Sequence, residues 1–360
     1  MNLAKVPHDG FESGMSGSPR LAFYLRSSGN LHYFAAVQPY LDYFMKDDRY
    51  QVFLVVQDTT TQLHPEYAGY QHLLTNNCDL DTYDLVITPS FLRAEERSDR
   101  TQAVQIFHGM SDKPFTYERD FSGYVRCLCV GQRQVDRLLK TPCNQSMRWT
   151  LVGYPKFDYP PKSLPLFQND KKTIIYCPTW RKEHISSIEI FLDHPAVMVE
   201  LSLDYNLIVK PHPNIFNPDR QFYDQSIVDR LEQIQQVPDV KLIRSGNVMP
   251  WYAQADLLIG DISAAGYEWL YFNKPIVFLN PQPGKLEPSQ DIEAMTYLWQ
   301  CGPVCDDMQR LKALVDHSLA IDPNQTIRES LLHYSVFQPR DNGATLRGIT
   351  EIEDILAQQK

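Results

Sequence analysis

The 360 residues predict an α/β protein of two Rossmann-like domains facing each other across a central cleft. Three observations carry that prediction. Short apolar runs rich in β-branched residues alternate with amphipathic stretches, the signature of βαβ units around a parallel sheet. A proline-rich polar segment, "YPPKSLPLFQNDKK" at 159–172, interrupts the alternation, which then restarts. The length also exceeds what one hydrophobic core ordinarily serves.

In chain order, residues 1–19 are polar and glycine-rich, lack the apolar stretch of a signal peptide, and read as a disordered leader. The first domain spans 20–158. Its strands are "RLAFYL" (20–25), "YQVFLVV" (50–56), "YDLVITP" (83–89), "AVQIF" (103–107), "VRCLCVG" (125–131) and "RWTLVGYP" (148–155). Helical spacing shows in "HYFAAVQPYLDYFMK" and "QRQVDRLLK". The linker is 159–172. The second domain spans 173–335, with strands in "KTIIYCP" (172–178), "YNLIVKP" (205–211), "VKLIRS" (240–245), "ADLLIGD" (255–261) and "KPIVFLN" (274–280). Helices are expected around 188–202, 219–236, 264–272 and 307–320. The tail, 336–360, contains "TLRGITEIEDILAQQ" and is expected to fold as a helix back towards the first domain.

Composition narrows the function classes. With 43% hydrophobic and 22% charged residues the chain is ordinary for a soluble globular protein. A net charge of −10 argues against nucleic-acid binding, which needs clustered Lys and Arg, and leaves a small phosphorylated ligand open. The seven cysteines form no C-x-x-C pair, fit neither a disulfide framework nor a metal site, and indicate a reducing cytoplasmic setting. No apolar run reaches the roughly 18 residues of a spanning helix, so any membrane contact is peripheral, at the inner face.

Ligands of open α/β sheets bind beyond the C-terminal ends of the strands. Several marked residues fall there: Ser28 and Asn30, His108 and Gly109, Thr179 and Arg181, His212, Asp261 and Ser263. A lone histidine most often caps a loop. His108, however, is followed by Gly109, which permits close backbone approach, and by Lys113, which suits an anion. A neutral imidazole at a cleft also serves as a base near neutral pH. His212 lies between two prolines in "KPHPN", a rigid setting for a group that donates to charge developing on phosphate. Lys210 is read as pointing away, in a structural role. "GDISAAGYEW" joins a strand to a helix start, where Ser263 and Ala264 are small enough for a phosphate to approach. An ordinary N-cap explains the same residues. Glu268, farther along that helix, is placed to accept from a ribose, and Arg181 suits bidentate phosphate contact.

These stretches, in this order, resemble the CDP-glycerol glycerophosphotransferase family of teichoic-acid and capsule synthesis. "FHGMSDK" is similar to the family's His-Gly-Thr-Pro-x-Lys, "VGYPKFD" to its Gly-Tyr-Pro-Arg-Asn-Asp, and "YCPTWR" to Tyr-Ala-Pro-Thr-Phe/Trp-Arg. "KPHP" resembles the second His-Pro element, and "LLIGDISAAGYEWLYFNKPIVFL" the Asp-Tyr-Ser-Ser segment ending in Lys-Pro. The resemblance covers roughly residues 100 to 285. It departs at Ala264, in place of the second serine, at Ile262, and at Lys156-Phe157. It implies a GT-B fold with the acceptor on the first domain, and with Gly109, Lys113, Ser28 and Asn30 on that side. The CDP-alditol donor lies on the second domain, with His108 as base, His212 on the donor phosphate, and Thr179, Arg181, Asp261, Ser263 and Ala264 around the pyrophosphate. It further implies alditol-phosphate transfer to a hydroxyl of a glycan or lipid-linked acceptor, without a required cofactor. Two alternatives share the motifs: a nucleotide-sugar glycosyltransferase or epimerase, and a non-catalytic nucleotide-sugar-binding protein.

Arg181→Ala should weaken donor use by about 1.5–3 kcal/mol, the worth of a charge-assisted hydrogen bond to phosphate. Steady-state kinetics across donor concentrations measure it, and unchanged kinetics would make Arg181 a surface residue.

Overall fold

A computed structural model describes residues 17–26, 31–57, 67, 69–70, 72–74, 79–159, 166–180, 185–218 and 220–359. The first sheet contains β1 (Arg20–Leu25), β2 (Gln51–Val56), β3 (His72–Leu74), β4 (Leu85–Thr88), β5 (Ala103–Ile106), β6 (Arg126–Cys129) and β7 (Trp149–Leu151). Its order is β3-β2-β1-β4-β5-β6-β7. The second contains β8 (Thr173–Cys177), β9 (Asn206–Val209), β10 (Val240–Leu242), β11 (Leu257–Gly260), β12 (Ile276–Leu279) and β13 (Val304–Cys305), ordered β10-β9-β8-β11-β12-β13. Neighbours in both sheets pair in parallel. The order reverses once in each, between β1 and β4 and between β8 and β11. Those reversals open the crevices where a ligand fits.

The central strands are buried on both faces, which is why they read as unbroken apolar runs. Their period of two divides the core. In β1, Leu21, Phe23 and Leu25 join one cluster, while Ala22 and Tyr24 join another. In β8, Ile174 and Tyr176 face a third cluster, and Ile175 and Cys177 share the one that holds Ala22 and Tyr24. One apolar cluster therefore runs continuously from the first domain into the second.

Ten helices occur among the described residues. They are α1 (Leu31–Phe44), α2 (Gln132–Leu138), α3 (Ile188–Asp193), α4 (Pro195–Asp204), α5 (Gln225–Gln233), α6 (Met249–Gln254), α7 (Ala264–Trp269), α8 (Leu311–Ala320), α9 (Gln325–Ser335) and α10 (Ala344–Gln358). The single helix expected at 188–202 is two, because Pro195 has no N–H to continue α3 and starts α4, where none is needed. The helix expected at 219–236 is shorter, starting where the Asp224 carboxylate accepts from the Ser226 N–H. None of the helices is long and apolar enough to cross a membrane.

The last two helices return to the first domain. In α9, the Tyr334 hydroxyl donates to Asp136 of α2 at 2.6 Å. Asp158 caps α10 by accepting from the N–H groups of Ala344 (3.0 Å) and Thr345 (2.6 Å). Ile349, Ile352, Ile355 and Leu356 then bury against Phe34, Val37 and Leu41 of α1. A Cβ on Gly348 would sit 2.5 Å from the Tyr40 ring, so α10 lies this close to α1 only with glycine there.

Asp112, four residues after His108, ties the domains together. It is 4% exposed and pairs with Arg133 and, at 3.6 Å, with Arg137 of its own domain. From the second domain it accepts from the Tyr267 hydroxyl at 2.6 Å and the Leu298 N–H at 3.3 Å. Arg133 also donates across the boundary to the Ile292 carbonyl at 3.2 Å, and its guanidinium lies over the rings of Tyr267 and Tyr297.

Asp112→Ala leaves the fully buried Arg133 without its carboxylate, a change that costs about 3–5 kcal/mol. Equilibrium urea unfolding should show that loss. A change within about 0.5 kcal/mol, the range of an ordinary surface substitution, would remove Asp112 as the tie between domains.

Candidate active site

The C-terminal ends of the two sheets meet at the cleft. On the first domain, β5 ends at Ile106, Phe107 turns into the shared apolar cluster, and His108 follows. The His108 ring packs edge-on to Tyr33 at 4.3 Å between centroids and bonds the Pro89 carbonyl beyond β4. Its backbone carbonyl lies 3.0 Å from the Tyr154 hydroxyl. Loss of water, with the charges of Lys156 and Lys113 nearby, pushes the imidazole down to about 3. It is neutral at physiological pH.

On the second domain, His212 follows β9. Pro211 and Pro213 hold it extended at φ −59° and ψ 133°, and its N–H donates to the Pro178 carbonyl at 3.3 Å. Its Nδ1 accepts from the Asn214 N–H at 3.1 Å. A nitrogen that accepts carries no proton, so the neutral ring holds its proton on Nε2 as a donor. Burial, then the charges of Lys113, Lys210 and Arg220, holds this imidazole well below its ordinary value. Each of these groups acts on the same ring.

Lys113 and Thr179, predicted for opposite sides of the cleft, bond each other: the ammonium donates to Thr179 Oγ1 at 2.7 Å. Asp261 was grouped with the pyrophosphate contacts. Here its carboxylate accepts from the Thr179 N–H at 3.0 and 3.1 Å and the Ser187 N–H at 3.0 Å. It therefore holds both ends of the loop between β8 and α3, and burial pushes it up to about 6. Ser263 has a non-helical cap conformation but makes no cap bond, and its buried Oγ has no hydrogen-bond partner among the described residues. A Cβ on Gly109 would lie 3.6 Å from that of Ala264, so the loop after His108 packs against the start of α7. Glu268, in α7, turns its Oε1 to the first domain, accepting from Tyr154 at 2.7 Å and Lys156 at 2.8 Å. Ser28, Asn30 and Arg181 lie outside the described residues.

Tyr33 and Arg220 carry no local signal in the sequence, and Tyr154 stands in it only as part of the Gly-Tyr-Pro stretch, with no role assigned. Lys156 was seen only as a departure inside "VGYPKFD". Lys210 was assigned to the wrong face: residues two apart in an extended chain point the same way, so it shares a side with His212.

The two neutral histidines make stability depend on pH. An unfolded histidine takes up a proton near 6.5, whereas folded His108 does so only at about 3. Between those values the unfolded chain binds more protons, so stability is present above the upper value and is lost as pH falls towards the lower. Urea midpoints should fall from about pH 8 to about pH 5, and His108→Asn and His212→Asn should each shrink the difference. An unchanged difference in both variants would assign the acid sensitivity elsewhere.

A family model described as CDP-Glycerol:Poly(glycerophosphate) glycerophosphotransferase matches residues 32–347. The chain is 31% identical over 108 residues to the teichoic acid glycerol-phosphate primase of Bacillus subtilis (strain 168). That match spans 30% of this chain and about a quarter (25%) of the primase. Among solved structures, the wall teichoic acid polymerase TagF aligns at a TM-score of 0.64 and 14% identity, covering 95% of this chain and 90% of that one. A complex of S. aureus MnaA with UDP aligns at 0.61 and 12% identity, covering 94% and 97%. At these identities the structural likeness is one of fold, the GT-B pair of facing Rossmann-like domains. With its model matched over most of the chain, the chain belongs to the CDP-glycerol:poly(glycerophosphate) glycerophosphotransferase family.

Proposed function

We propose that this protein transfers an alditol phosphate, glycerol phosphate or ribitol phosphate, from a CDP-linked donor to a hydroxyl of a glycan or lipid-linked acceptor in cell-surface polymer synthesis. The observation that carries the reading is the pairing of His108 and His212. Two neutral imidazoles face one cleft from different domains, amid the charges of Lys113, Lys156 and Arg220, in a chain of net charge −10. A site of that kind suits phosphoryl chemistry on an anionic donor.

In this reading the acceptor oxygen attacks the β-phosphorus. His108 takes the hydroxyl proton, the bond from the β-phosphorus to the bridging oxygen breaks, and CMP leaves with the electron pair. The anionic donor beside His108 raises its basicity from the low value of the bare cleft. His212 donates from Nε2 to a phosphate oxygen as charge develops there. Lys113, Arg181 and the Ser263 hydroxyl hold the diphosphate, Glu268 receives the ribose, and Gly109, Ser28 and Asn30 lie towards the acceptor. The protein's own cations neutralise the phosphates, so the reading calls for no cofactor. The protein would work at the cytoplasmic face of the membrane, where a lipid-linked acceptor is presented.

A donor screen with mass detection of the released nucleotide tests this. CMP is the expected product; a nucleoside diphosphate would instead mean glycosyl transfer, with attack at the anomeric carbon. With a verified donor, His108→Ala should lower kcat roughly 10²–10⁴-fold while donor binding stays near that of the parent. Its effect should combine non-additively with that of His212→Ala, because both act on one transition state. A His108→Ala enzyme that turns over at the parent rate would make this histidine a loop cap.

A further inference from the structure

We propose that Lys210 binds the donor's diphosphate beside His212, an assignment that rests on the nucleotide-donor reading above. Lys210 follows β9, is 6% exposed, and has its N–H fixed to the Tyr176 carbonyl at 2.8 Å. No hydrogen bond or ion pair joins its ammonium to another group among the described residues. Other inward-turned lysines there all have acceptors. Lys113 has Thr179, Lys156 has Glu268, Lys171 has Asp239, Lys274 has the Ala253 and Ala255 carbonyls, and Lys312 has Asp204 and Asp316.

The surroundings of Lys210 offer no replacement. The nearby thiol of Cys177 is pushed up to about 12 by burial and stays protonated. The Glu268 carboxylate is already engaged by Lys156 and Tyr154. Lys156 adds charge of the same sign, and burial draws the lysine down from its ordinary range. With no bond to a protein group among the described residues, the Lys210 ammonium contributes little to stability, and it stands two residues before His212 at the strand end that opens on the cleft. The partner that completes this arrangement is an anionic oxygen carried in by a ligand, and the diphosphate is the anion that the donor presents there.

The test is calorimetric binding of CDP, cytidine and inorganic pyrophosphate to the full chain and to Lys210→Met, together with thermal unfolding of both without ligand. CDP and pyrophosphate affinity should fall by about tenfold or more, as expected for loss of a charge-assisted bond, while cytidine affinity stays the same. The unliganded variant should melt at or above the parent temperature, because the substitution removes no hydrogen bond or ion pair to a protein group among the described residues. A lysine with a purely structural role gives the opposite pair, a lower melting temperature with unchanged affinity, and that result would overturn the assignment. Lys210→Gln serves if the methionine variant does not fold. If the parent itself binds no CDP, the donor reading fails. Lys210 is then judged on pyrophosphate alone, and equal affinity in parent and variant removes it.

Discussion

The buried carboxylate of Asp112 receives hydrogen bonds from both domains at once, and the groups in the cleft are placed relative to it. On one side it neutralises Arg133 and Arg137; on the other it holds Tyr267 of α7 and the backbone of Leu298. His108 lies four residues before it and Lys113 directly after, so fixing this carboxylate fixes the loop that brings the first domain's chemistry to the second. In α7, Tyr267 comes four residues after Ser263 and one before Glu268. The same contact therefore sets the helix start against Gly109 and turns Glu268 towards Tyr154 and Lys156. Buried ion pairs add little net stability but penalise every other arrangement of their partners. In a two-domain protein that penalty becomes a defined cleft.

Within the cleft the balance of charge opposes that of the whole chain. A net charge of −10 sits on a molecule whose interdomain surface gathers Lys113, Lys156, Lys210 and Arg220 around two uncharged imidazoles. Burial first, and then the like charges gathered around them, keep the histidines neutral, since each neighbouring cation opposes a further proton. His108 bonds the Pro89 carbonyl and His212 accepts from Asn214, so each ring is held in one orientation by the backbone of its own domain. Two histidines are thus fixed in different settings by different local hydrogen bonds.

The fold was legible because its rule is local. Parallel strands buried on both faces must be apolar throughout, and the crossovers between them must be amphipathic, so the alternation along the chain marks both sheets. The elements that escaped are those whose signal is weak or tertiary. β3 and β13 are short, and α9 is recognised by what it packs against. Pro195 was visible, but its effect, restarting a helix rather than ending one, depends on the α3–α4 corner being tolerated against β9. Of the candidate site, the strand-end residues could be read from position alone.

The sequence by itself determined the fold class, the two histidines, Lys113 and the strand-end Thr179, and the family. Each of these is expressed within a few consecutive residues, through strand periodicity, flanking prolines or an adjacent glycine. Only the tertiary structure decided which of them meet. It paired Lys113 with Thr179, committed Asp261 to the loop after β8, turned Glu268 to the opposite domain, and left Lys210, beside His212, without a hydrogen-bond or ion-pair partner among the described residues. Those outcomes depend on distances between residues as much as 114 positions apart, as between Tyr154 and Glu268. Hydrogen bonds and buried charges act over a few ångströms of space, whatever the separation along the chain.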